Sequence, residues 1–363
     1  MSGTIRMAVV GLGRVSKSHL PALRELSPKL RLAALVSRDA EKLRREAGNE
    51  EDVKTYTSYA DMLENEEIDA VLLLLPHHLH AEYSIRALRA GKHVLVEKPM
   101  AMNSAEAEAM EAAADVAGRV LMIGQSRRFF TSVMESVRRL REGAIGRLIN
   151  INALLLAHMD KPAADWWTDP DKIGGFIVPL WGSHILDYIV WAYGETPESV
   201  YAQGFSNNPH WRGEDEAAIS LRFAGGRMAN VLMSFNAGSR PTDEEGLTGK
   251  RIWSTQNGVY DRYLIGTNGM MRLKDEYELE VNGAKEAECG RDAANFRRQL
   301  EEFADAILEG RQPLASGREV LPVVRVIDAV FESMRTNRVV RLNGGSADNG
   351  YRDEYGRVTK YES

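Results

Sequence analysis

The stretch RMAVVGLGRVS, residues 6–16, decides the fold of the N-terminal part of this 363-residue chain. An apolar strand leads into a glycine turn and then into a helical pattern, the arrangement that holds a dinucleotide pyrophosphate. Gly11 can adopt backbone angles that other residues avoid, and Gly13 lets the main chain approach the phosphates. Ser16 replaces the third glycine of the usual GxGxxG pattern. Glycine turns of this kind also occur without a ligand, but here we predict contacts from Gly11, Leu12, Gly13, Arg14 and Val15.

Composition excludes several classes of protein. Lys+Arg number 46 against Asp+Glu 52, a formal net charge of -6, so no overall positive field attracts nucleic acid. The single cysteine, Cys289, excludes an intrachain disulfide and a multi-cysteine zinc site. The chain enters a strand almost at once and has no apolar run judged long enough to span a bilayer, which predicts no membrane partner and a cytoplasmic location.

The first third alternates short apolar runs with helical patterns, which predicts an α/β Rossmann domain, a doubly wound parallel sheet, over residues 1–125. Ser104 is the predicted N-cap of the last helix, and Gly91 and Gly118 end two of the helices. The predicted strands are 5–10, 30–36, 53–56, 70–75, 93–96 and 120–123, and the predicted helices are 15–26, 40–47, 59–64, 81–90 and 105–117.

Residues 126–343 show successive strands without helices between them, which predicts an α+β domain with a large, mainly antiparallel open sheet. The uncovered sheet face predicts a homodimer or homotetramer. Phe296, Leu300 and Phe303 recur at helical spacing and are assigned to the core. Residues 344–363 form a polar tail, either disordered or gripping a partner subunit. The predicted strands are 148–156, 217–223, 228–235, 260–265, 270–273 and 277–281, and the predicted helices are 130–141, 293–308 and 321–334.

The end of the second strand bears on cofactor choice. An acidic residue normally accepts hydrogen bonds from the adenosine ribose here, but the chain has Ser37 and Arg38. A hydroxyl and a guanidinium favour the additional phosphate of NADP, so NADP is predicted over NAD. The alternative is that Arg38 is a surface arginine beside Asp39.

Two further positions could carry chemistry. Lys98 closes the fifth strand at the sheet edge where such folds bind ligands, and it could stabilise charge on a substrate oxygen, whereas Glu97 should face elsewhere. His184 follows Ser183, a predicted helix N-cap, and the helix dipole would there favour a neutral imidazole able to accept a proton. A solvated lysine and a structural histidine are the ordinary alternatives.

Other polar and aromatic groups are less specific. His77, His78 and His80 crowd one loop, but no acidic or cysteine ligand accompanies them locally, so no metal site is predicted. His158, Trp166 and Trp167 could line a pocket for a sugar ring, although aromatic residues this close in sequence are equally often core.

Together these residues resemble the family of glucose-fructose oxidoreductase, inositol dehydrogenase and the rhizopine catabolism protein, Gfo/Idh/MocA. The resemblance covers nearly the whole chain except the tail. Its motifs are Gly11, Gly13, His19, Pro76, His80, residues 91–94, Glu97-Lys98-Pro99, Arg128-Phe129, Asp169-Pro170, Gly174-Gly175, His184, Asp187, Phe303 and residues 339–342.

The resemblance implies an NAD(P)-dependent oxidoreductase acting on a secondary alcohol or carbonyl of a sugar, inositol or related polyol. It implies that Lys98 anchors the reacting oxygen, that His184 is the general acid or base, and that a cis peptide bond before Pro99 aims Lys98. The implied cofactor contacts, besides the glycine turn, are Ser37, Arg38, Leu75, Pro76, His77, His80, Glu97, Lys98 and Gln125. The implied substrate contacts are Arg128, His158, Trp166, Trp167 and Asp187.

One departure from the family pattern matters. Many active relatives have an aspartate one helical turn before the histidine, where this chain has Leu180, and Phe176 replaces a third glycine. Three alternatives therefore stay open: a dehydrogenase with a nonstandard substrate, a cofactor-binding protein whose chemistry is lost or altered, or a glycosidase-like enzyme that uses bound NAD transiently and cleaves by elimination.

Overall fold

The computed structural model describes residues 3–50, 52–65, 67–159, 161–239, 253–288, 294–342, 351–352 and 358–359. The chain forms two compact units, residues 1–130 with 291–324 and residues 131–290 with 325–363. Residues 291–324, which the sequence placed in the second domain, thus cluster with the first unit. Cys289 and most of the predicted tail 344–363 lie outside the described residues; the tail's described part is a strand pair, Tyr351–Arg352 with Val358–Thr359.

The first unit contains a six-stranded sheet in the order β3-β2-β1-β4-β5-β6, and all its neighbouring strands are parallel. The predicted doubly wound sheet is confirmed. The predicted strand bounds differ from the observed ones by at most two residues, at the end of β4, because local apolar runs define these buried strands. The strands are β1 Ile5–Val10, β2 Leu30–Val36, β3 Lys54–Tyr56, β4 Ala70–Leu73, β5 His93–Glu97 and β6 Leu121–Gly124.

Helices pack beside this sheet and complete its core. Leu300 and Phe303 are fully buried in the same cluster as the apolar residues of β1 and β2, and Phe296 packs against it, so their assignment to the core is confirmed. The N-cap prediction was wrong: the Asn103 side chain accepts from the Glu106 N–H, and Ser104 is the first helical residue. The helices are α1 Ser16–Arg24, α2 Ala40–Ala47, α3 Tyr59–Leu63, α4 His80–Arg89, α5 Ser104–Ala117 and Ala294–Glu309.

The second unit contains a nine-stranded sheet in the order β14-β13-β12-β11-β7-β10-β9-β8-β15. Only β7 and β10 pair in parallel, so the predicted mainly antiparallel sheet is confirmed. The strands are β7 Leu148–Met159, β8 Ser199–Phe205, β9 Glu216–Arg222, β10 Met228–Ser234, β11 Trp253–Gly266, β12 Gly269–Lys274, β13 Glu278–Val281, β14 Ala284–Glu288 and β15 Val340–Arg341.

The helices of the second unit include α6 Thr131–Arg141, α7 Pro170–Ile173 and α8 Ser183–Tyr193, and Gly317–Thr336 has residues in both units. Among the described residues, Pro170–Tyr193 is long and apolar enough to cross a membrane by length and composition alone, which corrects the expectation that no segment is. Its apolar window is 89% buried inside the structure, as in the core helix of a globular protein.

Candidate active site

The glycine turn lies where the strand order of the first sheet reverses. β1 pairs with β2 on one side and β4 on the other, and ligands of open α/β sheets bind beyond the carboxyl ends of strands at such a point. Gly11 has φ 96°, and a Cβ added there would lie 2.4 Å from the carbonyl oxygen of Leu74. A Cβ added at Gly13 would meet nothing within 4 Å. Gly11 is therefore required by the turn itself, whereas Gly13 leaves open space for a ligand.

The start of α1 fits a bound anion. Val15 stands at the N-cap position without a side-chain cap, and the first helical turn contains no acidic residue. Ser16, in place of the third glycine, donates from Oγ to the Gly13 carbonyl at 2.6 Å and so closes the turn. An uncapped helix N-terminus behind a glycine turn is suited to the pyrophosphate of a nicotinamide dinucleotide.

The residues after β2 form the N-terminus of α2 and leave Arg38 exposed. Asp39 is the N-cap of α2 and accepts from the N–H groups of Glu41 and Lys42 at 3.1 and 3.0 Å. These hydrogen bonds, the one from Lys42 foremost, hold the pKa of the Asp39 carboxyl below its ordinary value. The Ser37 hydroxyl accepts from the Asp39 N–H at 3.1 Å, and Arg38 is exposed. The acid beside Arg38 is thus engaged in capping a helix.

Lys98 directly follows β5, in an environment that perturbs its charge. Burial lowers the pKa of Lys98 to about 8, although Glu97 opposes this effect and Arg127 adds to it. The Lys98–Pro99 peptide bond is cis, as the resemblance implied. A lysine that loses its proton near neutral pH is suited to proton transfer as well as to charge stabilisation.

His80 is engaged with the backbone. It is fully buried, and its ring nitrogens lie 2.7 Å from the Pro99 carbonyl oxygen and 2.8 Å from that of Leu75. His80 therefore joins the segments that follow β4 and β5, and its implied contact with a cofactor stays a prediction. His77 and Gln125 are also buried, whereas Leu75 and Pro76 are half-buried.

The first unit contains two further contacts between ionisable side chains, Arg128 with Glu319 and His19 with Glu97. The Arg128 side chain, 3% exposed, donates to Glu319 at 2.6 Å, so this implied substrate ligand is held in an ion pair. His19 lies 2.8 Å from a carboxylate oxygen of Glu97, a contact that sequence reasoning missed. The only sequence signal for it was a histidine within the helix that follows the glycine turn.

His184 lies in α8, but this helix does not begin where the sequence predicted. A π-helical turn, Val178–Gly182, precedes α8 directly, and Ser183 donates from Oγ to the Pro179 carbonyl at 2.8 Å. Ser183 is therefore not an N-cap, and His184 does not lie in the first turn of the continuous helical segment that the π-helical turn and α8 form. The proposed dipole effect on the imidazole consequently does not apply. π-turns inside helices occur often at functional sites.

Glu214 satisfies the true start of this helical segment, another contact that sequence reasoning missed. Its carboxylate accepts from the backbone N–H groups of Phe176 and Val178, each at 3.0 Å. Burial raises the pKa of the Glu214 carboxyl above its ordinary value, while these hydrogen bonds oppose the increase. The positive end of the segment is thus at residues 176–178, well before His184.

His184 lies beside an aromatic side chain. His184 is 8% exposed, and its ring centroid lies 6.3 Å from that of Trp181. Leu180 and Asp187 are buried in the same helical segment. The Trp166 and Trp167 rings meet edge to face at 6.0 Å on the 3-10 turn Asp165–Thr168.

His158, another implied substrate contact in the second unit, lies on β7. His158 follows the residue alternation of β7 onto the face that carries Asn152 and Leu154, opposite the buried Ala157 and Met159. A sugar pocket formed by His158 with Trp166 and Trp167 stays a prediction. Within the described part of the chain, no group of three or more His, Cys, Asp or Glu could hold a metal ion.

A buried ion pair lies close to α8. Arg262 on β11 donates to the Glu276 carboxylate at 2.5 Å, and the Tyr260 hydroxyl donates to the same oxygen at 2.9 Å. The Arg262 guanidinium lies 4.8 Å from the ring centroid of Tyr188, and the Trp181 ring is 5.5 Å from that of Tyr260. The helix that carries His184 therefore packs against a polar cluster as well as an apolar core.

Comparisons with known proteins agree with this architecture. Residues 5–125 match the oxidoreductase family with an NAD-binding Rossmann fold, and residues 137–342 match the C-terminal alpha/beta domain of that family. The chain belongs to the Gfo/Idh/MocA oxidoreductase family, as its motifs indicated. Its fold and its relatives define it as an NAD(P)-dependent dehydrogenase or reductase.

Individual relatives are similar over almost their full length. D-xylose 1-dehydrogenase (NADP(+)) 2 of Haloferax volcanii is 26% identical over 94% of this chain and 100% of the relative. Trans-1,2-dihydrobenzene-1,2-diol dehydrogenase of Xenopus laevis is 31% identical over 91% of this chain and 98% of the relative. The crystal structure of aldose-aldose oxidoreductase from Caulobacter crescentus complexed with glycerol superposes with a TM-score of 0.81, at 27% identity, over 93% of this chain and 100% of that chain.

Proposed function

We propose that the protein transfers a hydride between NADP and a secondary alcohol or carbonyl of a sugar, inositol or related cyclic polyol. The observation that carries this proposal is Lys98, whose lowered pKa of about 8 occurs at the carboxyl end of β5, in the same sheet as the dinucleotide turn. The relatives support it, since one is named a xylose dehydrogenase and another an aldose-aldose oxidoreductase.

Two side chains carry the proposed chemistry. The nicotinamide supplies the hydride acceptor or donor when it is bound. Lys98 Nζ donates a hydrogen bond to the reacting oxygen and stabilises the negative charge that develops on it. His184 acts as general acid or base for the proton of the hydroxyl. His184 and Lys98 belong to different units, so their cooperation stays a prediction.

The preference for NADP rests on the loop after β2. Arg38 is exposed, and the Asp39 carboxylate is committed to the α2 N-terminus. The loop therefore offers no uncommitted acid that would accept hydrogen bonds from the ribose hydroxyls and repel the additional phosphate of NADP. Arg14, in the glycine turn, is exposed as well and adds positive charge to the same unit. A guanidinium can bind a phosphate in bidentate fashion.

We further infer a homodimer or homotetramer, formed through the open face of the second sheet. Met228, Leu232 and Met270 are 46%, 45% and 44% exposed, although their strands lie within the nine-stranded sheet. A shallow cavity of about 430 Å³ on this sheet is lined by residues of β7, β8, β9 and β10. Exposed apolar sheet surface of this kind favours association. The cytoplasmic location stays a prediction.

The decisive experiment measures NADP reduction with a panel of aldoses, inositols and cyclic diols. We expect turnover with at least one of these compounds and loss of turnover in Lys98→Ala, while NADPH binding, followed by fluorescence, stays within about threefold of wild type. Lys274→Ala, which removes an exposed lysine of the second sheet, is the matched control. Full activity in Lys98→Ala would exclude Lys98 from the mechanism.

Leu180 favours a second candidate function, a binding or sensor protein that kept the cofactor site. Its side chain, 4% exposed, provides no proton-transfer group one turn before His184. Under this alternative, calorimetry detects binding of NADPH and of a sugar, but no compound of the panel is oxidised or reduced. Any turnover that depends on His184 would contradict it.

A further inference from the structure

We propose that His19 and Glu97 form a buried pair that positions Lys98 and supplies the counter-charge to its ammonium group. This inference rests on the proposed role of Lys98 and explains how the first unit controls the position and the protonation of that lysine. His19 and Glu97 are positioning residues, because they act through Lys98.

The central contact joins α1 to the end of β5. His19 Nε2–H donates to Glu97 Oε1 at 2.8 Å, across 78 positions of sequence. The His19 side chain is 0% exposed and that of Glu97 is 12% exposed. The His19 ring also meets Phe296 edge to face at 4.7 Å between centroids, which keeps the imidazole from turning away. A charge-assisted hydrogen bond in such a dry environment strongly orients the carboxylate.

Two further features hold the carboxylate in place. The other oxygen of Glu97 accepts from the Lys98 backbone N–H at 3.2 Å, so the carboxylate is linked to the residue that it serves. On β6, a Cβ at Gly124 would lie 3.0 Å from the Glu97 Cα and 3.2 Å from its Oε1. A larger residue at position 124 would therefore crowd the carboxylate. Glycine within a strand often marks such a close approach of the neighbouring backbone.

The electrostatic environment of Glu97 and Lys98 favours an ionised carboxylate beside the lysine. Burial by itself raises the pKa of Glu97, but the His19 hydrogen bond and the electrostatic interactions with His19, Lys98 and His80 bring that pKa below its ordinary value. Glu97 is thus ionised at neutral pH. Of the charges that act on Lys98, that of Glu97 favours its protonated form and that of Arg127 disfavours it. Loss of the Glu97 charge would therefore lower the pKa of Lys98 further.

The test measures the Lys98 amine directly and requires no substrate. The intact protein is labelled briefly with acetic anhydride at a series of pH values, and acetylation of Lys98 is quantified by peptide mass spectrometry. Exposed Lys274 is the internal control in each sample. Wild type, Glu97→Gln, His19→Phe, His19→Gln and the double variant Glu97→Gln/His19→Phe are compared, with thermal unfolding as the check of folding.

We expect Glu97→Gln, an isosteric change, to lower the labelling midpoint of Lys98 by on the order of one pH unit and to leave that of Lys274 unchanged. His19→Phe should shift the Lys98 midpoint in the same direction by less, and His19→Gln, which restores an N–H donor, should recover most of the wild-type value. The double variant should match Glu97→Gln alone, because His19 acts through Glu97.

Two outcomes would overturn the inference. An unchanged Lys98 midpoint in folded Glu97→Gln would show that this carboxylate is not the counter-charge. An additional shift in the double variant would show that His19 acts on Lys98 by another route. Neither outcome bears on whether Lys98 is catalytic, which the turnover of Lys98→Ala decides separately.

Discussion

Alanine at Gly11 and at Gly13 should have different effects, although the two glycines lie in one turn. Gly11→Ala places a Cβ 2.4 Å from the backbone carbonyl oxygen of Leu74, at a residue whose φ is 96°. The Leu74 carbonyl directly follows β4 and cannot move without disturbing the pairing of β1 with β4. Gly13→Ala introduces a methyl group that meets nothing within 4 Å. The first change therefore damages the fold, and the second damages only the approach of a ligand.

The magnitudes separate the two effects clearly. A non-glycine residue with positive φ costs about 1–2 kcal/mol, and overlap with a rigid neighbour adds about 1–3 kcal/mol. Gly11→Ala should thus reduce the free energy of unfolding by roughly 2–5 kcal/mol. Gly13→Ala should change it by no more than about 0.5 kcal/mol, as for an ordinary surface substitution. Its methyl group should instead weaken NADPH binding roughly 10- to 100-fold, or about 1.4–2.7 kcal/mol.

The assay combines urea denaturation without cofactor and fluorescence titration with NADPH for wild type and both variants. Ser18→Ala, at a half-buried position of α1, is a control for alanine substitution near the turn. The reasoning is refuted if Gly13→Ala unfolds at as low a urea concentration as Gly11→Ala, or if it binds NADPH as tightly as wild type. The latter result would place the pyrophosphate elsewhere.

Three other predictions concern single side chains. Arg38→Ala should raise the Kd for NADPH at least about tenfold and that for NADH less than about twofold; equal effects on both would contradict a 2′-phosphate contact. Glu214→Ala should cost about 2–4 kcal/mol of unfolding free energy, because the N–H groups of Phe176 and Val178 lose their acceptor, whereas Glu214→Gln retains one. Because the pKa of folded Glu214 is raised, the stability that this carboxyl contributes is present at low pH and is lost as the pH rises through the raised pKa. The unfolding free energy of Glu214→Gln should lack this loss, and the same pH dependence in wild type and variant would refute the prediction. Leu180→Asp should lower the unfolding free energy by at least about 3 kcal/mol, and an unchanged Tm would show that the site is polar.

The architecture of the first unit was predictable because its signals are local. β1 and β2 are apolar runs bounded by turn residues, and their observed bounds equal the predicted ones. β8 and β14 were missed for a physical reason. β8 has three exposed residues at its end, and β14, AKEAE, is a charged strand at the sheet edge. Charged edge strands resist aggregation and resemble loops in sequence.

The candidate site was predictable only where one segment forms it. The glycine turn and Lys98 were found because their backbone context is contiguous in sequence. The contact of His19 with Glu97 and that of Glu214 with residues 176–178 join segments far apart in the chain, and no periodic pattern encodes them. Ser183 was assigned as an N-cap because serine often stands there, but the π-turn continues the helix upstream of it.

The two units therefore constrain function to different degrees. In the first unit, recognition relies on backbone geometry, since Gly11 is required by its φ and by Leu74, so any chain that forms this turn presents similar amides to a dinucleotide. In the second unit, Trp181 lies beside His184, and we propose that substrate recognition there relies on such side chains rather than on the backbone. Relatives can consequently share the cofactor class while their substrates differ. Under the proposed function, buried Leu180 and Trp181 favour a substrate that presents an apolar ring face to them, because a polar substrate group there would lose its hydration without a partner.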